Sequence, residues 1–480
     1  MAVTDTLADY FEFEEHDTNL RTEIIAGITT FLAMSYIVVV NADILTAYPD
    51  DGVPGGIAIP GYTPDQVFQM LAVITILASI VALVVMALYA NRPFGLAPGL
   101  GLNAFFSITV VGVLGVPWET ALAAIFVEGI IFILLTLVGA RKYVIRLFPE
   151  PVKRGVGTGI GLFLAIIGLQ AMGVVVDDPA TLLTLGDIAQ SPVAILSIVG
   201  LFFTFGLYAR GIRGSIIIGI VTTTLVGIAL TFAGVVETGI LAGDFVQSGA
   251  FVPENFTGAQ YDINPILFEF LDGFGQVDDF AFALIVFTFF FVDFFDTAGT
   301  LVGVGQAGGF LDEDGNFPDI DKPLMADAIG TTAGGILGTS TVTTFVESAT
   351  GVEEGGRTGM TALVIGGLFL VSLIFVPLAT AVPQYASHIA LVIVAVLMLR
   401  NVTEIEWDDF AHATSGALTI IVMPLTYSIA YGIAAGIVSF PLLKTAQGEF
   451  DDVRIGQWVL AALFVVYFAV RTGGVLQTAL

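Results

Sequence analysis

The sequence predicts an all-α polytopic membrane protein of fourteen transmembrane segments, built as two inverted repeats of seven, with the third and tenth spans broken. Hydrophobic residues make up 56% of the chain and charged residues 12%, and the mean hydropathy is +0.93, a composition foreign to soluble domains. Apolar runs long enough to cross about 30 Å of hydrocarbon recur from Glu23 onward. The few basic residues fall in alternate loops, as cytoplasmic loops require.

Taken in order, residues 1–22 form an acidic, amphipathic segment with no basic n-region and no small-residue cleavage site, so it is not read as a removable signal peptide. Candidate spans follow at 23–45, 66–90, 94–114, 117–139, 155–177, 192–210 and 213–235. A polar loop from 236 to 279 holds no Lys or Arg. The second set is 280–305, 324–340, 343–359, 361–382, 386–400, 412–443 and 455–472. Arg92, the cluster Arg141, Lys142, Arg146, Lys153 and Arg154, and then Arg210 and Arg213 should lie inside. The loops at 46–65, 178–191 and 236–279 should lie outside, which makes the amino terminus cytoplasmic. Seven is odd, so the second repeat (280–480) begins on the opposite side from the first (23–235), the signature of inverted topology. Residues 412–443 are long for one crossing and short for two, and Pro424 and Pro441 interrupt them.

Two spans are poor helices at corresponding places in the halves. The third opens FGLAPGLGLNAFF, and Pro98, Gly99 and Gly101 break a helix. The tenth carries the β-branched run TSTVTTF. Irregular backbone at membrane depth is tolerated only where it lines a cavity or is buried in protein. Its appearance in both halves points to a transporter's binding site.

The residues that could bind a ligand lie in and beside these spans. A carboxylate at the bilayer centre costs about 2.5–3.5 kcal/mol on insertion scales and is a functional candidate by default. Asp296 in VDFFDTAGT and Glu347 in TTFVESATG are two such groups. Asp293, Asp296, Thr297 and Thr300 share one helical face. Ala298 and Gly299 leave room beside Asp296, and the alternative has Asp293 inward and Asp296 bonding between helices. Between Ala326 and Met360, 16 of 35 residues are Gly or Thr, which permits close backbone approach and supplies hydroxyls, Thr343 and Thr344 among them. A half-helix starting near Phe345 would aim amide donors at whatever Glu347 touches; packing alone would instead give Glu347 a structural hydrogen bond. Asn103 can donate and accept at a heterocycle edge or cap the half-helix. Asp327 and Arg357 fit topology and packing.

Composition excludes several functions. There is no cysteine and there are three His, so disulfides, thiolate chemistry and a histidine metal site drop out. No GxxxxGK[ST] loop supports ATP drive. With 43 acidic against 15 basic residues and a net charge of −28, the loops repel nucleic acid. The acid surplus reads as adaptation to very high salt, which screens self-repulsion; the plainer reading is an acidic protein.

NLRTEIIAGITTFLAMSYI, APGLGLNAFF, VDFFDTAGTL and the run ADAIGTTAGGILGTSTVTTFVESATGVEEGGRTG resemble the AzgA-like purine permeases, a branch of the nucleobase:cation symporter-2 superfamily. The likeness runs from Phe11 to about Phe468. It implies a core domain (spans one to four and eight to eleven) and a gate domain (five to seven and twelve to fourteen). It places the carboxylates that hydrogen-bond the base on Asp296 and Glu347, and the polar residue of the third span on Asn103. Thr300, Thr343 and Thr344 complete the expected substrate site.

The function implied is secondary active import of hypoxanthine, guanine or adenine across the cell membrane, with no bound cofactor and a proton as the co-transported ion. A carboxyl at low dielectric favours its neutral form and so can travel protonated. Alternatives are xanthine or uracil as substrate, sodium as the coupling ion, or an anion exchanger or channel of related fold, which two acids and no buried cation suit badly. An intramembrane hydrolase using paired acids is the rival from another class. The lipid bilayer is the partner expected, and a homodimer the candidate assembly.

Overall fold

The computed structural model describes residues 3–48, 55–139, 148–178, 180–242, 246–247, 250–251, 260–310 and 317–472. Arg141, Lys142 and Arg146, on which the expected orientation partly rests, lie outside these. Among the described residues, eight helices are long and apolar enough to cross a membrane by length and composition.

An amino-terminal helix, α1 (Val3–Tyr10), precedes α2 (Leu20–Met34) and α3 (Ile37–Leu45), so the first span is bent at Ser35 and Tyr36. Asn19 caps α2 by accepting from Thr22 N at 3.1 Å. Next, α4 (Pro64–Val85) starts in a reciprocal capping box: Thr63 Oγ1 accepts from Gln66 N, and Gln66 Oε1 accepts from Thr63 N. A strand, β1 (Leu96–Pro98), leads into the short helix α5 (Leu100–Ala104), which continues as π-helix through Val113. Long helices α6 (Trp118–Leu137), α7 (Glu150–Ala171), α8 (Pro192–Ala209) and α9 (Ser215–Phe232) complete the first half.

The second half opens with α10 (Asp279–Gly308) and α11 (Asp321–Leu337). A second strand, β2 (Val342–Thr344), and the short α12 (Ser348–Glu353) follow, then α13 (Gly359–Ser372) and α14 (Ile389–Met398). Residues 412–443, read as one span, are two helices, α15 (Phe410–Leu425) and α16 (Ile429–Ala446), packed side by side. The break falls at Tyr427, whose φ of 49° is left-handed and ends a helix at a cost few non-glycine residues bear. Its backbone oxygen accepts from Thr109 Oγ1 at 2.7 Å and its hydroxyl donates to Gln170 at 2.6 Å, contacts that hold the turn. The last helix is α17 (Ile455–Thr472).

Packing sorts the helices into two groups. One joins α2, α3, α4, α6, α10, α11 and α13 around the two strands; the other joins α7, α8, α9, α14, α15 and α16. The strands are the hub of the first group. β1 and β2 pair antiparallel, with Leu96 opposite Thr344, Ala97 opposite Thr343 and Pro98 opposite Val342. Gly99 N donates to Thr341 O at 3.0 Å and Phe345 N to Gly95 O at 2.9 Å, so the backbone that leaves helix satisfies itself across the pair. Gly99 is needed for the approach: a β-carbon there would stand 2.5 Å from Thr343 Cγ2. Buried Glu23 ties α2 to α13, accepting from Thr361 Oγ1 at 2.6 Å and from the backbone N–H of Arg357 and Thr361.

Candidate functional site

Where β1 and β2 cross, short helices leave in opposite directions, and the space beside the crossing is a cavity of about 420 Å³ between the two groups. That lies within the roughly 300–1,000 Å³ of small-molecule sites. Its walls differ in chemistry. On the strand side stand Tyr36, Asp296, Thr300, Thr343, Thr344 and Glu347; on the other, α7 and α14 present Val156, Ile160, Leu164, Val394, Leu397 and Met398. Lys153, Arg154 and Glu404 also line it, at the start of α7 and just past α14.

Beyond the other end of α14, Ser387 Oγ donates to Asp43 Oδ2 at 2.6 Å, and His388 Nδ1 lies 3.3 Å from the same oxygen. These buried contacts close α14 against α3.

Five of the six residues singled out in the sequence meet on this wall: Asp296, Glu347, Thr300, Thr343 and Thr344. Asn103 does not. It is buried on α5 behind the strands, where its Oδ1 accepts from Ser340 Oγ and its Nδ2 has no partner. It caps nothing either, since Gly99 occupies the cap position of that helix.

The helix near Glu347 starts at Ser348, not Phe345, and is only six residues long. Glu347 is instead oriented by Tyr36, whose hydroxyl donates to its Oε1 at 2.7 Å. Tyr36 was missed in the sequence, where Thr29, Thr30, Ser35, Asn41 and Asp43 of the same span stood out equally. Thr344 Oγ1 is buried without a partner.

The supposed single face of α10 is two rows. Residues four apart stay within 40° of each other on a helix of 100° per residue, whereas residues three apart diverge by 60°. Asp296 and Thr300 form the row on the cavity. Asp293 and Thr297, fully buried, turn to α6 and α11. There Asp327 receives the Thr297 hydroxyl at 2.8 Å and belongs to a buried acidic group. Glu128 of α6, which the sequence reading passed over, joins them. Arg357 stays off the cavity, donating to Val352 O at 2.6 Å and Gly356 O at 2.8 Å.

A polar wall with two carboxylates and free hydroxyls, facing an aliphatic wall, suits a flat, uncharged molecule with hydrogen-bonding edges. Held between two helix groups of an apolar helical bundle, such a site fits a membrane transporter. Known proteins give the family. A model described as "Permease family" matches residues 21–435. The chain is 42% identical to a Methanocaldococcus jannaschii protein named only as a permease, over 97% of this chain and 98% of that one. It is 37% identical to the adenine permease AdeQ of Escherichia coli K12 over 96% of both chains. It is 38% identical to the guanine/hypoxanthine permease PbuO of Bacillus subtilis 168, over 95% of this chain and 99% of that one.

Among solved structures, the transmembrane domain of the cyanobacterial bicarbonate transporter BicA matches with a TM-score of 0.56 at 15% identity, over 87% of this chain and 97% of that domain. That likeness concerns fold alone. The chain belongs to the xanthine/uracil permease family, and it is an integral membrane transporter and not an enzyme.

Proposed function

We propose that the protein imports purine bases, with hypoxanthine, guanine and adenine as candidates, across the cell membrane by proton symport. The observation that carries this reading is the cavity wall itself. Asp296 and Glu347, the latter oriented by Tyr36, offer acceptors to ring N–H groups, and Thr300, Thr343 and Thr344 supply hydroxyls, while α7 and α14 cover the planar face with methyl groups. The purines named for AdeQ and PbuO support the substrate class. Asn103, bonded to Ser340 away from the cavity, is not among the residues proposed to touch the base.

The fold reading is fourteen crossings in two inverted repeats, with the strand-centred group as core and the other as gate. The antiparallel meeting of the third and tenth spans supports it. On this reading residues 1–22 are cytoplasmic, 23–235 form the first repeat and 236–279 the outer loop. The second repeat begins at 280 and takes α15 and α16 as its last two crossings, with α17 beyond them. Lys153, Arg154 and Glu404 then mark the cytoplasmic mouth, and Asp43 with Ser387 closes the outer end. A homodimer is the assembly to test.

Uptake of labelled hypoxanthine, guanine, adenine, xanthine and uracil into vesicles, with pH and sodium gradients imposed separately, tests the whole. Purine accumulation that follows the inward proton gradient and collapses with a protonophore is expected. Accumulation driven by sodium alone transfers the coupling, and uptake of xanthine or uracil in place of the other bases changes the substrate. The net charge of −28 is read as an adaptation to molar salt. Lowering salt to about 0.1 M, where the Debye length grows to about 10 Å, should lower the melting temperature of the purified protein, and equal values would remove that reading.

A further inference from the structure

Behind the cavity wall, Glu128 of α6, Asp293 of α10 and Asp327 of α11 bring three carboxyl groups together, each with its side chain fully buried. Asp293 neighbours both of the others. Yet both Asp293 oxygens, Glu128 Oε1 and Asp327 Oδ2 have no donor from the protein. Among the described residues, the charged groups that act on the three are one another and Asp296, all acidic. Glu347 and Tyr36 lie on the cavity side, and the cations Lys153 and Arg154 also line the cavity. Ionised carboxylates only accept, so a contact between two of them is a hydrogen bond only when a proton lies on it. Among the described residues no group of acids is arranged to hold a metal ion. A proton would supply the missing partner.

The cluster is wired to the cavity. Thr297 Oγ1 donates to Asp327 Oδ1 at 2.8 Å and lies 2.5 Å from Thr343 Oγ1. A hydroxyl has one hydrogen, so with that hydrogen spent on Asp327, Thr343 must donate to Thr297. Thr343, which lines the cavity, then offers a ligand only lone pairs. If Asp327 carries a proton on Oδ1, the chain reverses: Asp327 donates to Thr297, Thr297 rotates to donate to Thr343, and the Thr343 hydrogen turns toward the cavity. No covalent bond to a hydroxyl breaks in this exchange; two hydroxyls rotate.

We propose that Glu128, Asp293 and Asp327 form a sealed proton-binding site, distinct from the carboxylates on the cavity, and that the Thr297–Thr343 hydroxyl pair converts its protonation into a donor on the cavity wall. Substrate that accepts from Thr343 then favours the protonated cluster, and protonation favours that substrate by the same factor. The inference rests on reading the cavity as a purine site.

The test uses the full-length purified protein in weakly buffered solution with a pH-indicator dye, and hypoxanthine as probe. The wild type should take up protons as it binds. Thr297→Val should bind within about threefold of wild type but lose most of that uptake, because linkage requires the connecting element. Thr297→Ser should restore it, and Asp293→Asn should bind without it. Should Asp293→Asn fail to fold, the valine and serine pair decides the matter. Full proton uptake by Thr297→Val overturns the inference, as does loss of binding as severe as in Glu347→Gln. Hypoxanthine binding by the wild type with no proton uptake also overturns it, and leaves the purine reading standing. A wild type that binds none of the purines would instead remove the functional reading itself.

Discussion

Two sets of carboxylates meet within one turn of α10, and the protein treats them oppositely. Asp296, with Glu347 across from it, faces a cavity and is only partly covered. Asp293, one row away, is sealed among Glu128 and Asp327. The open pair has a neutral donor, Tyr36, on one oxygen; the sealed trio has threonine hydroxyls from Thr297 and Thr341. Among the described residues, neither set has a cation hydrogen-bonded to it. What separates them is access, and access decides which set can meet a substrate and which can hold only a proton.

The comparison breaks most sharply at the open pair. Asp296→Asn and Glu347→Gln should each lower the initial rate of purine uptake by about tenfold or more, since a hydrogen bond to a charged group contributes roughly 1.5–3 kcal/mol. Fluorescence-detected size exclusion should still report a folded protein. A normal rate in either variant removes that residue from the site. A smaller loss is expected at the crossing that holds the two sets apart. Gly99→Ala places a methyl group 2.5 Å from Thr343 Cγ2, and overpacking of this kind costs roughly 1–3 kcal/mol. Its melting temperature should fall, and unchanged stability would mean the strands shift freely.

Much of this was legible from residue types. Pro98, Gly99 and the β-branched run at 341–344 forecast broken spans because proline and glycine deny helix and β-branched side chains prefer strand. Mid-membrane acids forecast Asp296 and Glu347 because lipid penalises charge. Three things were not legible. The direct pairing of β1 with β2 depends on two segments more than two hundred residues apart, and no local signal sets that register. The split of one polar face of α10 into two rows depends on which neighbours pack there; small residues beside Asp296 favoured it over Asp293, but the sequence did not show where Asp293 turns. The break at Tyr427 was hidden because its left-handed turn contains neither Gly nor Asn, the usual marks of such a turn. Glu128 stood in plain view at the middle of an apolar span; it was passed over because its partners lie on other helices.

Tyr36→Phe sharpens the comparison by a further step down in size. It removes the donor from Glu347 Oε1 and keeps the ring that fills the bend between α2 and α3. A single hydrogen bond to a charged acceptor predicts a loss of affinity of roughly tenfold, with the maximal uptake rate less affected than by Glu347→Gln. An affinity equal to wild type would mean that Glu347 reaches substrate without orientation by Tyr36.

The smallest effect, at Thr344, separates a ligand group from a packing group by its sign. The hydroxyl of Thr344 is buried on the cavity wall and has no partner in the protein. Valine has the same shape without the hydroxyl. If the hydroxyl served the fold, Thr344→Val would lose a hydrogen bond and the protein would melt lower. With no bond to lose, the variant should melt at the wild-type temperature or slightly above, because an unsatisfied buried hydroxyl costs about 1–3 kcal/mol in the folded state. If the hydroxyl meets the substrate, purine affinity should fall at the same time by a few-fold, the loss of about one neutral hydrogen bond. Stability retained with affinity reduced marks Thr344 as a substrate contact. A lower melting temperature would show instead that the hydroxyl has a protein partner, and unchanged affinity would remove it from the site. Thermal melting and equilibrium hypoxanthine binding on the same preparation distinguish these outcomes.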